Sequence, residues 1–167
     1  MKQVGREGCI PPECFAKKHS HCNYAVLTKQ FFCDSSHSLH HPAGLGECDF
    51  GDCYDRAAHP LTSIALQSWG IPASAIRILL TSMQTMQYVL KTGFGESTET
   101  YGGTSTLPNS GLGQGSGASP PGFMALSSLI VNAYRRMGHG AKILLSYSAQ
   151  LFFLAAVMYV DDTNLLN

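Results

Sequence analysis

Two neighbouring carboxylates near the end of the chain, Asp161 and Asp162, have the type and position to do chemistry. They follow the apolar run of residues 151–160, which has the composition of a buried strand, so they lie where the chain must turn. Clustered carboxylates cost free energy unless a cation compensates them, and Mg²⁺ prefers such oxygen ligands. A further carboxylate, Asp49, ends another predicted strand. We therefore expect Asp49 and Asp161 to converge on a metal site, with Asp162 in support. The alternative is that all three are ordinary turn or capping residues, because Asp is common in turns.

An aromatic residue lies at a fixed distance from the first of these carboxylates. In the segment Cys48-Asp-Phe-Gly-Asp-Cys-Tyr-Asp-Arg56, Tyr54 comes five positions after Asp49 and Asp55 comes six positions after it. Asp52 and Asp55 compete with Asp49 for the metal, and the choice of Asp49 rests on the family resemblance described below, in which an aromatic residue follows the catalytic Asp by five positions. We expect Asp55 to form a structural ion pair with its neighbour Arg56.

A glycine-rich segment, Gly113-Gln-Gly-Ser-Gly-Ala-Ser-Pro120, precedes a predicted helix. Its glycines let the backbone approach another group closely, and the amide of Gln114 can donate and accept hydrogen bonds. A flexible linker would be the ordinary interpretation of such a segment on its own. Its position directly before Ser119-Pro120 and a helix favours a binding loop formed by Gln114 and Gly115.

In this order, the segments around Asp49, Gln114 and Asp161 resemble three motifs of reverse transcriptases. Tyr159-Val-Asp-Asp162 is similar to the catalytic hairpin of that family, and Cys-Tyr-Asp-Arg is similar to the version in retrotransposon-type enzymes of algae and diatoms. The resemblance extends over residues 48–163. It implies an α+β fold, a partial reverse-transcriptase palm in which an antiparallel sheet packs on helices, with a remnant of fingers.

The resemblance also implies a function and assigns roles to residues. The complete enzyme would be an RNA-directed DNA polymerase that uses two Mg²⁺ ions, an RNA template, a DNA primer and deoxynucleoside triphosphates. Asp49, Asp161 and Asp162 would be the catalytic metal ligands, and Tyr54 would exclude the 2′ hydroxyl, unless it is simply a core tyrosine. Gln114 and Gly115 would support the incoming nucleotide. Lys17 and Lys18 lie where a triphosphate-binding pair is expected, although a solvated charged loop is the alternative.

The length of 167 residues suits one compact domain rather than fingers, palm and thumb together. We expect a partial fingers segment over residues 1–44 and a partial palm over residues 45–167. Further palm and thumb would be missing, and the return strand would be cut short at Thr163–Asn167. The alternative function is therefore a truncated, non-catalytic remnant that at most binds nucleic acid or a protein, and we expect the isolated chain to be inactive.

Charge and composition limit the possible partners. Eleven basic and eleven acidic residues give no net charge, whereas nucleic-acid binders usually carry a basic excess, so we expect weak affinity for nucleic acid. The amino terminus lacks the apolar core of a signal peptide, which predicts an intracellular protein. Polar residues interrupt the apolar stretch 143–160, which favours a hairpin strand over a membrane helix. A zinc site at the amino terminus stays open, although the spacing there lacks a paired C-x2-C; its ligands would be Cys9, Cys14, His19, His21 and Cys22.

Hydrophobic spacing predicts the elements that position these residues. Helices are expected over residues 25–32, from His59-Pro60 to Gly70, from Ser74 through Met83, and from Ser119 through Met137. The first strand is expected to lead from Leu45 into Asp49. Tyr88–Thr92 predicts a second strand, residues 93–117 a long loop, and residues 143–160 the start of a closing hairpin. The last helix is expected to bury one stripe, namely Phe123, Leu126, Ile130 and Ala133.

Overall fold

The computed structural model describes residues 10–145 and 150–167. Within these ranges the chain forms four helices: α1 (Cys22–Ser38), α2 (His59–Ser68), α3 (Ala73–Gln84) and α4 (Ser119–Arg136). The strands of the same ranges are β1 (Leu45–Asp49), β2 (Gln87–Thr92), β3 (Gly95–Gly102), β4 (Ala141–Leu145), β5 (Gln150–Leu154), β6 (Ala156–Tyr159) and β7 (Asp162–Leu166). Neighbouring strands pair antiparallel throughout these ladders. The predicted α+β class and the four predicted helices are confirmed.

The chain divides into two compact units. The first unit comprises Met1–Gly51 together with Met124–Asn167, and the second unit comprises Asp52–Phe123. The expected division into a fingers segment over residues 1–44 and a palm over residues 45–167 stays a prediction.

A three-stranded sheet in the order β1-β7-β6 forms the centre of the first unit. Strand β7 is central, because its five residues pair with β1 on one side and β6 on the other. The expectation that the return strand is cut short at Thr163–Asn167 stays a prediction. The other side of β6 is also occupied, since the backbone of Met158 exchanges hydrogen bonds with Glu13 and Phe15 at 3.0 and 2.9 Å. Both sides of β6 are thus paired at this point, which limits its exposure as a free strand edge.

Strand alternation gives this sheet two buried faces, and each face packs against a different helix. One face meets α1 and the β4–β5 hairpin in a cluster of apolar residues, namely Ala25, Phe32, Ala141, Ile143, Leu154, Val157 and Leu166. The other face meets α4 in a second cluster, namely Val131, Ala155, Ala156 and Met158. The predicted single strand over residues 151–160 is in fact two strands, because the chain passes from the β4–β5 hairpin to the central sheet at Ala155.

The second unit contains a hairpin that the sequence did not indicate. Residues 93–117 were expected to form a loop, but Gly95–Gly102 is strand β3, and Tyr88 pairs with Tyr101 in its register with β2. Every residue of β2 and β3 is exposed, so neither strand shows the alternation of buried and exposed side chains that identifies a strand from sequence. The two-residue connection Gly93-Phe94 and the Thr-rich composition of β3 are local features that favour this structure.

The helices form where predicted, but two of them bury the expected faces only in part. In α2, hydrophobic spacing predicts a buried stripe of Leu61, Ile64, Ala65, Leu66 and Trp69. Of these, Ala65, Leu66 and Trp69 are buried, whereas Leu61 and Ile64 are exposed. In α4, Phe123 is buried as expected, but Ile130 is 41% exposed, and the buried face includes two serines, Ser127 and Ser128. Each serine hydroxyl donates to a backbone carbonyl of its own helix, so its burial leaves no unpaired donor.

No helix in residues 10–145 or 150–167 has both the length and the apolar composition that crossing a bilayer requires.

Candidate active site

Two of the predicted carboxylates lie directly opposite each other in the sheet of the first unit. In the register of β1 with β7, Asp49 is the partner of Asp162, and Tyr159 of β6 is the other neighbour of Asp162. Side chains of directly opposed residues on an antiparallel pair are about 5 Å apart at Cβ. Both carboxylates are exposed. The end of the sheet therefore concentrates two negative charges, which repel each other when no cation is present.

The third carboxylate, Asp161, lies in the turn rather than on a strand. Val160 and Asp161 connect β6 to β7, and Val160 has a positive φ of 56°. A β-branched residue in this region of φ is a strained outlier of the kind that clusters at functional turns. The register thus brings Asp162 to the position opposite Asp49, while the expected convergence of Asp49 with Asp161 stays a prediction.

A cleft of about 430 Å³ opens in the first unit between α1 and the sheet, and the opposed carboxylates lie at its wall. Helix α1 contributes Cys22, Ala25, Val26 and Lys29, which recur at i, i+3, i+4 and i+7 and so share one face. The sheet contributes Glu47, Cys48, Asp49, Val157, Tyr159, Asp162, Thr163 and Asn164. This cleft is large enough for a small ligand beside the carboxylate pair.

An ion pair crosses the cleft near the carboxylates. The ammonium group of Lys29 contacts the carboxylate of Glu47, which precedes Asp49 by two residues and so lies on the same face of β1. The amide oxygen of Asn164, the register partner of Glu47, is buried without a hydrogen-bond partner among the described atoms. The wall of the cleft therefore carries an anionic pair, a lysine and an unsatisfied acceptor.

The donor set suits a hard divalent cation, although it is not a closed cage. No group of three or more His, Cys, Asp or Glu side chains in the described part of the chain is arranged to hold a metal ion. Magnesium does not need such a group, because it keeps several waters and is usually bound through one or two carboxylates together with substrate phosphates. The opposed carboxylates of Asp49 and Asp162 meet that requirement.

In the second unit, the segment around Tyr54 lies against Gly111 and Leu112, which directly precede the glycine-rich segment. The Leu112 amide donates to the Tyr54 carbonyl at 2.7 Å. Gly111 has φ +78°, and a Cβ there would come within 2.6 Å of the backbone of Tyr54 and Asp55. Two segments that the sequence separates by more than fifty residues therefore pack backbone to backbone, and only glycine allows this approach.

Gln114 forms a side-chain contact with the same segment. Its amide donates to the Asp55 carboxylate at 3.0 Å. The expected ion pair between Asp55 and Arg56 was wrong, since Arg56 instead contacts Asp52, four residues earlier, at 3.4 Å. A backbone turn explains the choice, because the Arg56 amide donates to the Asp52 carbonyl at 2.9 Å, which brings these two residues together.

Tyr54 and Gly115 differ in their surroundings. The half-buried ring of Tyr54 packs edge to face against Phe123, with ring centres 6.0 Å apart. Gly115 has φ +83°, which favours glycine at this turn, and a Cβ placed there would meet nothing within 4 Å. The surface of the loop is therefore open at this position. Tyr54, Gln114 and Gly115 thus belong to one continuous surface region of the second unit.

The amino-terminal candidates show less organisation. The Lys17 ammonium donates to the Pro12 carbonyl at 3.4 Å, and Lys18 is exposed. Of the zinc candidates, Cys14 is buried beside Met158, and this burial raises the pKa of its thiol, which disfavours the thiolate that zinc binds. Cys9 lies outside the described residues.

Sequence reasoning missed Lys29 and Glu47 as lining residues of the cleft, and it missed the contact of His59 with Gly111. The i, i+3, i+4, i+7 spacing from Cys22 to Lys29 was a usable signal for a shared helix face. For Glu47 and His59 the decisive contacts are distant in sequence, so no local pattern marks them.

Comparison with known proteins finds a similar fold among solved structures but no match among protein families or curated proteins. Among solved structures, the chain is similar to telomerase from Candida albicans, in a complex with a TWJ fragment of telomeric RNA, with a TM-score of 0.62 and 14% identity. The match covers 99% of this chain and 28% of the telomerase chain. The chain therefore has an α+β fold like that of part of this telomerase chain.

Proposed function

We propose that the chain is the palm segment of a retrotransposon-type reverse transcriptase, an RNA-directed DNA polymerase that extends a DNA primer on an RNA template. The observation that carries this proposal is the opposition of Asp49 and Asp162 at the end of the central sheet, beside a cleft. The order of the three motifs and the likeness to part of telomerase support it. The chain spans 28% of that telomerase chain, so the activity is proposed for a polymerase that contains this chain.

The carboxylates of Asp49, Asp161 and Asp162 would hold two Mg²⁺ ions. Such ions would favour ionisation of the primer's 3′ hydroxyl and would neutralise charge on the triphosphate. The chain supports this by fixing two carboxylates on paired strands, so that little reorganisation precedes binding. Asp161, in the turn that Val160 begins, would add a third carboxylate to the pair.

The second unit would supply nucleotide selection. Tyr54, backed by Phe123, would present an aromatic edge that excludes a 2′ hydroxyl and so favours deoxynucleotides. Gln114, held by Asp55, and the open turn at Gly115 would form a polar surface for the nascent base pair. Lys17 and Lys18 stay candidates for contact with the triphosphate.

The test is primer extension on an RNA template by a polymerase containing this chain. We expect Asp161→Asn or Asp49→Asn to lower the extension rate by at least about 10³-fold while the protein stays folded, because catalytic metals contribute several kcal/mol to transition-state stabilisation. The matched control is Glu99→Gln, which removes an exposed carboxylate on β3. Extension at the wild-type rate in both aspartate variants would overturn the proposal. RNA binding without metal binding would instead favour the non-catalytic remnant.

A further inference from the structure

His59 contacts a different group with each of its two ring nitrogens. It is the first residue of α2 and is half-buried. Its Nε2 lies 2.5 Å from the carbonyl oxygen of Gly111, and its Nδ1 lies 3.0 Å from the side-chain amide nitrogen of Gln84, in the last turn of α3. All three residues belong to the second unit.

The chemistry of these partners fixes the tautomer of the imidazole. A backbone carbonyl can only accept a hydrogen bond, so Nε2 carries the proton and donates to Gly111. The amide nitrogen of Gln84 can only donate, so Nδ1 is the acceptor. Gln84 therefore orients the ring, and the ring in turn holds the carbonyl of Gly111.

Gly111 begins the segment that carries Gln114. The amide of Leu112, the next residue, donates to the Tyr54 carbonyl, and on the other side of Gly111 the Asn109 amide donates to the Gln84 carbonyl at 3.0 Å. At the far end, the Ser119 hydroxyl lies 2.6 Å from the carbonyl oxygen of Gly113. The contact of His59 is the only one of these in which a side chain holds the left-handed residue Gly111 itself.

We propose that His59, oriented by Gln84, is a positioning residue that fixes the distance between the glycine loop (Gly111–Gly117) and the backbone of Tyr54. The loop needs such a contact because its glycines impose little conformational restriction of their own. Since Gln114 follows Gly111 by three residues, the position of Gly111 determines where that amide lies relative to Asp55. The consequence for nucleotide affinity rests on the proposed function, whereas the positioning of the loop does not.

The first test measures amide hydrogen exchange at Leu112 in the chain itself. His59→Phe keeps a ring of similar size but removes both hydrogen bonds, and we expect exchange at Leu112 to accelerate by roughly tenfold, as for the loss of one hydrogen bond. His59→Gln retains a donor that can reach Gly111 and should restore most of the protection. The Asn109 amide, which bonds to the Gln84 backbone, is the internal reference, and Gln67→Leu removes an exposed hydrogen bond on the same helix as a control.

Unchanged exchange at Leu112 in His59→Phe would overturn the proposal, as would equal acceleration at Leu112 and Asn109, which would indicate general destabilisation. Nitrogen NMR of His59 gives an independent measurement, and a neutral ring that carries its proton on Nδ1 rather than on Nε2 would also contradict the proposal. In a polymerase containing the chain, we expect His59→Phe to raise the KM for deoxynucleotides about tenfold with a smaller change in kcat. An inactive wild-type polymerase would overturn the proposed function, while a change in exchange at Leu112 alone would still support the positioning role.

Discussion

The opposed carboxylates make a prediction that concerns stability as well as metal binding. Like charges directly opposite on paired strands destabilise a sheet, so Asp49→Asn or Asp162→Asn should raise the free energy of unfolding without metal by about 0.2–1 kcal/mol. The same variants should lose the stabilisation that Mg²⁺ gives the wild-type chain, because binding to the folded state alone raises stability by mass action. Thermal unfolding with Mg²⁺ and with a chelator measures both effects.

Asp34→Asn is the control for this comparison, since Asp34 is an exposed carboxylate on α1 that contacts Gln30 and does not line the cleft. It should leave the metal-dependent shift in unfolding temperature intact. A wild-type chain whose unfolding temperature does not respond to Mg²⁺ or Mn²⁺ would contradict the metal site.

Tyr54 makes a prediction about sugar selection. In a polymerase containing the chain, Tyr54→Val should raise the incorporation of ribonucleotides relative to deoxynucleotides by roughly 10–100-fold, because one aromatic edge would exclude one hydroxyl. The measurement is kcat/KM for each nucleotide class in single-nucleotide extension. Tyr54→Phe keeps the ring that packs on Phe123 and should preserve the selectivity. Equal selectivity in the valine variant would make Tyr54 a core residue.

For individual side chains, the sequence predicted which residues lie near the site better than it predicted which residues contact each other. Asp162 could be expected beside a strand end because the apolar run of residues 151–160 precedes it, whereas no such run precedes Asp49. Their exact opposition depends on the register of β1 with β7, two strands separated by more than a hundred residues. The same limit explains why Arg56 was assigned to its neighbour Asp55, although a backbone turn brings it to Asp52.

The glycine loop makes a prediction at the level of a whole element. Gly111 and Gly115 both have positive φ, but a Cβ at Gly111 would meet the Tyr54–Asp55 backbone, whereas a Cβ at Gly115 would meet nothing within 4 Å. Gly115→Ala should therefore cost only the conformational term of about 1–2 kcal/mol. Gly111→Ala should cost at least about 2 kcal/mol more, since the backbone on which it packs cannot yield as a flexible side chain can.

Urea unfolding of the two alanine variants measures this difference, and each serves as the matched control of the other. Equal losses would show that the glycine loop does not lie against the Tyr54 segment. Exchange at the Leu112 amide should increase in Gly111→Ala, because the displaced loop would lose its hydrogen bond to Tyr54.

Elements were predictable where burial imposes a period and unpredictable where it does not. Helix α3 buries Ile76, Leu80 and Met83, and their spacing of four and three residues predicts a helix from the sequence. The β2–β3 hairpin buries none of its residues. Its first strand was expected from residues 88–92, but the sequence of β3 indicated a loop. In α4, the buried face contains serines, which hydrophobic spacing does not identify as buried. They can be buried because their hydroxyls donate to backbone carbonyls of the same helix.

At the scale of the whole molecule, the first unit is assembled from distant parts of the chain. Strand β1 and strand β7 meet only because residues 124–167 return to the unit begun by residues 10–51. Composition and periodicity cannot indicate such a return, since they are local. The expected convergence of Asp49 with Asp161 does predict such a return, because both residues belong to the first unit.

The balance of charge over the whole chain leads to a last prediction. Most of the affinity of nucleic-acid-binding proteins comes from neutralising phosphates. Each phosphate contact on duplex DNA contributes about −0.9 to the slope of the logarithm of the binding constant against the logarithm of the salt concentration. With 11 basic and 11 acidic residues, the chain offers no basic excess. We therefore expect binding to an RNA–DNA hybrid weaker than about 1 µM at physiological salt, with a shallow dependence on salt, which fluorescence anisotropy over a salt series measures.

The carboxylate pair provides the internal control for this experiment. In a chelator, the double variant Asp49→Asn, Asp162→Asn should bind the hybrid more tightly than the wild-type chain, because two negative charges are removed from the wall of the cleft. In Mg²⁺ this advantage should disappear or reverse, since metal ions between the carboxylates and the phosphates would favour the wild-type chain. If Mg²⁺ leaves the ranking of the two proteins unchanged, the carboxylate pair does not act through a metal on nucleic acid.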